Sequence, residues 1–244
     1  MSQPGNGPRR VGPWPRGSLL AALEPEIRDE LLRLGTWQQF ASGDFLLMEG
    51  DRSSKHVFLI AGGCVKVVSH TDDGKTALLA IRMDGDVVGE LASLDGSPRA
   101  ATVIAVGSCD VRRISQSAFL AFLSRHPAAA LAMSRTVAGK LRHATWQRVA
   151  FSTSPVPVRL ARVLLYLAAR FGEQRPEGVL IRVHLSQPDL AALVGAREHS
   201  VHKGLRALRE KGVIHTGYRK ILIIDMNALK EEAGDTGIPP EYGV

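Results

Sequence analysis

Two stretches of this 244-residue chain hold side chains whose types and spacing could do chemistry. The first, from Gly89 to Val103, is GELASLDGSPRAATV. It sets one acid, Glu90, and one base, Arg99, on either side of a short segment punctuated by Gly96 and Pro98. A guanidinium pairs with phosphate through parallel N–H groups, and a carboxylate accepts hydrogen bonds from sugar hydroxyls. Small residues beside both charges (Ala92, Ser93, Ala100, Ala101) let backbone come close to a ligand, and backbone N–H groups there suit phosphate oxygens. On chemistry alone the stretch is equally a surface loop with an ordinary ion pair, since such pairs are common and weak.

The second stretch, residues 186–212, is SQPDLAALVGAREHSVHKGLRALREKG. Ser186 is placed to cap a helix with Pro188 in its first turn. Gly195 marks a tight turn, and a second helix runs from about Arg197 to Lys211, ending at Gly212. Leu190, Ala191, Val194, Ala196, Val201 and Leu205 fall where two steeply crossing helices need small or apolar contacts, which is the helix-turn-helix pattern. The second helix carries Arg197, Glu198, His199, Ser200, His202, Lys203 and Arg206, side chains suited to base edges and phosphates. Two β-prone runs, Val213–Thr216 and Ile221–Asp225, bracket Gly217-Tyr218-Arg219-Lys220. They predict a wing with a basic tip, where Arg219 and Lys220 can meet phosphates. With Ser186 and Gln187 at the start of the first helix, these residues form the expected contact set for double-stranded DNA.

Other elements must position these stretches. Residues 1–17 are rich in Pro, Gly and Arg and are expected to be a disordered tail. Residues 18–34 have helical spacing interrupted by Pro25, predicting two short helices. From 36 to 115, short β-prone runs alternate with turn signals: Phe45–Met48, Val57–Ile60, Cys64–Ser69, Ala77–Ile81, Val87–Val88, Thr102–Val106 and Val111–Ile114. This predicts a sandwich or jelly roll. Asp73-Gly74 is the clearest hairpin turn. Gln116–Leu123 should form a helix capped by Ser115. Pro127 should open a helix of roughly 24 residues, long enough to pair with a copy of itself. STSPVPV, residues 152–158, is the expected hinge. A helix over Leu160–Phe171 and a strand over Val179–Leu185 follow. The domains expected are therefore 18–126 (β roll), 127–151 (dimerisation helix), 152–158 (hinge) and 159–233 (winged helix-turn-helix), with a tail over 234–244.

The net charge of +7 is uneven. Residues 151–233 carry 13 basic and 8 acidic side chains, whereas 18–150 are nearly balanced with 15 and 14. That asymmetry favours a polyanion for the C-terminal part. The N-terminus does not fit a secretory signal and no apolar run reaches the roughly 20 residues that span a bilayer, so a cytoplasmic protein without membrane contact is expected. Cys64 and Cys109 are expected to be buried thiols. No nucleophile–base pair, metal-ligand cluster or triphosphate-binding loop appears, so neither an enzyme nor a metal site is expected.

In this order (β roll, Glu/Arg stretch, long helix, hinge, winged helix-turn-helix), residues 18–233 resemble the cyclic-AMP receptor protein/FNR family of bacterial transcription regulators. Gly89-Glu90-Leu91-Ala92 and Pro98-Arg99-Ala100-Ala101-Thr102 resemble its cyclic-nucleotide phosphate-binding cassette, with an RAAT ending closest to that of protein kinase A regulatory subunits. The resemblance implies an α+β chain and an effector site. Glu90 would bind the ribose 2′-hydroxyl and Arg99 the cyclic phosphate, with backbone at Gly89, Leu91, Ala92, Ala100 and Ala101 completing the cradle. It also implies cAMP as effector, a homodimer and RNA polymerase as a further partner.

The sequence departs from the pattern in three places. The long-helix positions that contact the base hold Ala144 and Thr145, and only Thr145 keeps a hydroxyl. Ala100 replaces the usual Ser or Thr. The recognition helix holds Glu198, His199 and Lys203 where an Arg-Glu pair and a later base are common. Gly204 is also unusual in mid-helix. FNR-type cysteine clusters are missing, and His56, His70 and Cys64 are expected to be ordinary roll residues. Two alternatives stay open: a DNA-binding regulator with a vestigial pocket, and a nucleotide-responsive module that docks protein.

Overall fold

The computed structural model describes residues 14–15, 17–70 and 76–234. The N-terminal tail expectation up to residue 13 and Arg16, the Asp73-Gly74 turn and the tail beyond 234 lie outside them. The chain divides into two compact units, Met1–Ala138 and Gly139–Val244.

In the first unit, a 3-10 turn (Leu20–Ala22) and helix α1 (Pro25–Arg33) are the two short helices expected, with Pro25 in the first helical turn, where its missing N–H costs nothing. The sheet contains β1 (Thr36–Phe40), β2 (Phe45–Leu47), β3 (His56–His70), β4 (Thr76–Met83), β5 (Val87–Val88) and β6 (Thr102–Ser115). Pairing is antiparallel throughout, in the order β1-β6-β3-β4, with β2 also on β6 and β5 also on β3.

The sequence predicts separate strands on either side of Gly62-Gly63 and Gly107-Ser108, and here the structure corrects it. β3 and β6 each run through those glycines and pair with one another along most of their length. Glycine signals a bend within a strand as readily as a turn between strands. The β3–β6 register shifts around Gly62, and Gly63 and Gly107 take positive φ (94° and 77°). A Cβ on Gly63 would lie 2.4 Å from the Ser108 carbonyl oxygen, so the close crossing of the two strands requires glycine there. β1 was not foreseen either. The β3–β4 hairpin is present, with His70 opposite Thr76.

The first part of β3, residues 56–60, is buried on both faces. Val57 and Leu59 pack with helical residues such as Leu20, Leu31, Phe119 and Met133, while Phe58 and Ile60 join Val65, Val88, Val103 and Val111 inside the roll. Strand alternation sends neighbours to opposite sides, so one strand serves two cores. Cys64 and Cys109 are both buried, and burial pushes the Cys109 thiol up to about 12. Helix α2 (Glu90–Asp95) follows β5, and α3 (Gln116–Arg125) follows β6, capped by Ser115 Oγ accepting from the Ala118 N–H at 3.2 Å. Helix α4 (Pro127–Thr153) begins in this unit.

In the second unit α5 (Val156–Phe171) starts almost at once. Of the hinge expected over 152–158, only Ser154 and Pro155 lie outside helix. α4 runs on to Thr153, and Pro157 sits in the first turn of α5, where proline is tolerated. Two further strands, β7 (Gly172–Arg175) and β8 (Gly178–Ile181), precede α6 (Gln187–Val194) and α7 (Glu198–Glu210). β9 (Ile214–Gly217), β10 (Lys220–Ile223) and α8 (Met226–Ala233) complete the unit. Its sheet has the order β7-β8-β10-β9, all antiparallel. β7 and α8 were not foreseen, and the strand expected to reach Leu185 stops at Ile181. Gly204 has a reason to be glycine, because a Cβ there would lie 2.7 Å from Leu160 Cδ2, so α7 crosses α5 at close range. No helix among the described residues is long and apolar enough to cross a membrane.

Candidate functional site

The acid–base stretch begins where β5 ends. Gly89 caps α2 in the left-handed region (φ 83°) and feels two neighbours: a Cβ there would lie 2.7 Å from Arg99 Nη1 and 2.8 Å from Leu47 Cδ1. Glycine is therefore needed both for the turn and for the approach of the guanidinium. Glu90, the first residue of α2, is 5% exposed. Gly96 ends the helix in the left-handed region and donates its N–H to the Ala92 carbonyl. The chain then returns through Arg99 into β6.

Arg99 is only 3% exposed. Its guanidinium donates four hydrogen bonds inward: Nε to Ser54 Oγ (2.9 Å), Nη1 to the Gly89 carbonyl (2.7 Å), and Nη2 to the carbonyls of Ser54 (2.9 Å) and His56 (2.6 Å). Backbone pairing ties the same segments, with Gly50 N–H to the Arg99 carbonyl and Arg99 N–H to the Asp51 carbonyl. Burial lowers the pKa of the guanidinium, while the Asp51 and Glu90 carboxylates counter that effect. Hydrogen bonds from Ser54 and Ser53 hold the Asp51 carboxyl below the usual carboxylate range. His56 is pushed down to about 4, chiefly by burial and then by the charges of Arg113 and Arg99, and its Nδ1 accepts from Arg113 Nη2 at 3.2 Å. Ser54, Asp51 and His56 carried no signal in the sequence that linked them to Arg99.

The rest of the cassette is more open. Leu91 is 43% exposed, Ala100 is exposed, and Ala92 and Ala101 are half-buried. Thr145 belongs to the second unit. It is exposed on α4, its hydroxyl donating to the Leu141 carbonyl at 3.0 Å.

The second stretch forms a helix-turn-helix. Ser186 caps α6 in a reciprocal box with Asp189: its hydroxyl accepts from the Asp189 N–H and donates to Asp189 Oδ2 at 2.6 Å. That hydroxyl is committed to the helix start, so Ser186 orients the element and Gln187, which is exposed, stands as its outward polar group. Gly195 (φ 65°) makes the turn. Leu190, Ala191, Val194, Val201 and Leu205 are buried as expected, with Ala196 half-buried. Arg197, Glu198, His199, His202 and Lys203 are exposed in or beside the first two turns of α7, and Ser200 is half-buried. Arg206 is exposed but pairs with Glu210 at 2.7 Å.

Arg209, a further cation of α7 that by type suits base edges and phosphates, has a partner within the fold. Its Nη1 donates to Thr216 Oγ1 at 2.9 Å, fastening β9 to α7. At the wing tip Arg219 takes a positive φ (52°), its guanidinium 5.6 Å from the centroid of the Tyr218 ring, and Tyr218 is 86% exposed. A cleft of about 350 Å³ lies between α7 and the wing, floored by Leu190, Leu205 and Ile221 and rimmed by His202, Arg209 and Lys220. Cationic and hydroxyl groups around an apolar floor suit a sugar–phosphate backbone.

Residues 37–126 match the cyclic nucleotide-binding domain, and residues 158–232 match the Crp-like helix-turn-helix domain. Over 218 residues the chain is 27% identical to the CRP-like cAMP-activated global transcriptional regulator of Mycobacterium tuberculosis, covering 89% of this chain and 97% of the relative. The crystal structure of a CRP-family transcriptional regulator from Thermus thermophilus superposes with a TM-score of 0.69 at 27% identity, covering 83% of this chain and 98% of that one. The c-di-GMP-responsive regulator CLP of Xanthomonas campestris shares the fold, with a TM-score of 0.70 at 18% identity, covering 83% and 100%.

Proposed function

The chain belongs to the Crp/Fnr family of DNA-binding transcription regulators, and from that premise we propose that it is a homodimer whose grip on double-stranded DNA is set by a cyclic nucleotide, cAMP foremost. The observation that carries the effector half is the joint burial of Glu90 and Arg99 at the start of α2, within the matched nucleotide-binding domain. Glu90 accepts from the ribose, Arg99 meets the cyclic phosphate, and backbone at Gly89, Leu91, Ala92, Ala100 and Ala101 lines the ring. Thr145 offers the base a hydroxyl. The roll over 18–126 holds the effector, the helix from 127 holds the partner copy, and 159–233 hold DNA. The protein acts in the cytoplasm, without metal or catalysis, and RNA polymerase is the assembly it would recruit or obstruct.

On the DNA side, Glu198, His199 and Lys203 face base edges, while Gln187, Arg197, Lys220 and Arg219 hold phosphates. His202 and the Arg206–Glu210 pair flank that surface. An effector that binds two arrangements of the dimer unequally shifts the population toward the one that fits DNA. Selection of bound DNA from a random pool, with and without cAMP, tests site, symmetry and effector together. Enrichment of one symmetric sequence only with cAMP is the expected outcome; enrichment of none defeats the DNA assignment.

A second reading has a specific observation behind it. Arg99 already donates four hydrogen bonds to the protein itself. A pocket whose cation is satisfied internally can hold the roll together without any nucleotide, leaving DNA binding constitutive. Calorimetric titration with cAMP and cGMP separates the two: heat that disappears in Arg99→Gln supports the effector reading, and no heat at millimolar nucleotide supports the internal one.

A further inference from the structure

Helix α4 is continuous from Pro127 to Thr153, yet the two compact units part within it, between Ala138 and Gly139. Its first turns bury Ala129, Ala132 and Met133 in the core of the N-terminal unit. Its last turns are held by other groups. His143 is buried and stacks on Tyr166 of α5 at 4.2 Å between ring centroids. Gln147 Nε2 reaches the Leu193 carbonyl in α6 at 3.5 Å. Arg159 of α5 donates Nη1 to the Phe151 carbonyl and Nη2 to the Gly195 carbonyl, both at 3.1 Å, with its guanidinium 5.7 Å from the centroid of the Phe151 ring. Arg162, 5% exposed, donates to the Ala150 carbonyl (3.4 Å), to Ser154 Oγ (2.8 Å) and to the Ala233 carbonyl (2.9 Å).

Each contact has a physical reason. The final carbonyls of a helix lack intrahelical donors, and cations at a helix C-terminus meet its partial negative charge. Arg159 satisfies one such carbonyl on α4 and, with its other arm, the carbonyl of the helix-turn-helix turn. Gly195 is that turn residue, and a Cβ on it would lie 3.7 Å from Phe151 Cδ2, so the ring of Phe151 rests against the turn. Gly139 is different: a Cβ there would meet nothing within 4 Å. No close packing requires glycine at that point, and it weakens the helix by about 1 kcal/mol relative to alanine.

We infer that Arg159 is a positioning residue for DNA recognition: with Arg162 it staples the last turns of α4 to the helix-turn-helix, and the chain flexes at Gly139 rather than at Ser154-Pro155. The recognition helix then follows the end of α4 as one body, and Pro155 is a fixed corner inside that body. The link to DNA rests on the function proposed above; the staple itself does not.

Amide hydrogen exchange on the full-length protein, with neither nucleotide nor DNA, tests the staple. Residues 147–153 are expected to exchange as slowly as 187–195. Arg159→Gln is expected to speed both segments together by about tenfold while leaving 128–136 unchanged. Arg159→Lys, which keeps the charge but reaches one carbonyl, should speed them less. Gly139→Ala should slow exchange over 138–143, and Pro155→Ala should leave 152–156 as they are. Acceleration of only one segment in Arg159→Gln, or exchange of 147–153 in step with 128–136, overturns the staple. Slowing at 152–156 but not at 138–143 overturns the placement of the flexing point. Where specific DNA binding is established, Arg159→Gln should weaken it about tenfold with the salt slope unchanged. A slope smaller by about one for each half-site would make Arg159 a phosphate contact instead.

Discussion

At the scale of residues, the internal hydrogen bonds of Arg99 and the nucleotide contact proposed for it are separable by measurement. Replacing it with Gln leaves the carbonyls of Gly89, Ser54 and His56 in a buried place with fewer donors, and each buried acceptor so stranded costs about 1–3 kcal/mol. Arg99→Gln should therefore lower the melting temperature of the ligand-free protein as well as remove nucleotide heat in calorimetry. Loss of heat with an unchanged melting temperature would show that the four internal bonds contribute little. His56 makes a second prediction from the same cluster. Its pKa is about 4 in the fold, below the ordinary 6.5, because burial and two guanidinium groups oppose its charge. As pH falls below 6.5 the unfolded chain takes up a proton that the folded chain refuses until about pH 4. Stability should thus fall with pH across that window and level off beneath it. Urea titrations from pH 7 to pH 4 should show the slope, and His56→Gln should flatten it.

At the scale of elements, the crossing of α5 and α7 depends on the missing side chain of Gly204. Alanine there should gain helix propensity worth about 1 kcal/mol, but its methyl meets Leu160, which is fully buried, and overpacking of that kind costs about 1–3 kcal/mol. Gly204→Ala should therefore destabilise the second unit in urea denaturation, and adding Leu160→Ala should make the Gly204→Ala step favourable. A stabilised single variant would mean that Leu160 moves aside freely. These elements also show what was legible beforehand. The helix-turn-helix was readable because its signals are local: Ser186 with Pro188, Gly195 at the turn, and apolar residues at contact spacing. Glu90 and Arg99, both buried in the fold, stood out for the same reason. The partners of Arg99 were not, because Ser54 and His56 lie more than forty residues away and nothing in a serine or a histidine announces that its carbonyl will receive a guanidinium. Continuity of β3 and β6 was hidden by glycines that signal turns and bends alike. Two prolines in residues 152–158 both signal a break in helix, yet Pro157 lies within the first turn of α5, so the break is shorter than the composition suggests.

For the whole molecule, the proposed dimer rests on α4. Leu131 (52%), Leu141 (68%) and Val149 (62%) are large apolar side chains left exposed on it. With Ala138 and Thr145 they follow one another at intervals of seven, three, four and four residues, the spacing of a seam between paired helices. In the proposed dimer, pairing of two such helices would bring two recognition helices to one duplex under two-fold symmetry. Half-sites should then be inverted repeats with centres about 34–36 Å apart, one turn of DNA. Inserting five base pairs between half-sites turns the second to the opposite face of the duplex, so affinity should fall to that of random DNA, and inserting ten should restore part of it. Leu141→Glu places like charges at the seam and should convert the dimer to monomer in sedimentation. DNA binding should be lost with it although no DNA-facing side chain has changed. Were Leu141→Glu to stay dimeric, or the five-base-pair insertion to be tolerated, the seam would lie elsewhere and symmetry would have to come from another surface. Basic residues of the wing then set the strength rather than the register. Lys220→Ala should weaken binding to every sequence alike and reduce the salt slope by about one for each half-site, whereas His199→Ala should change which base is preferred and leave the slope alone.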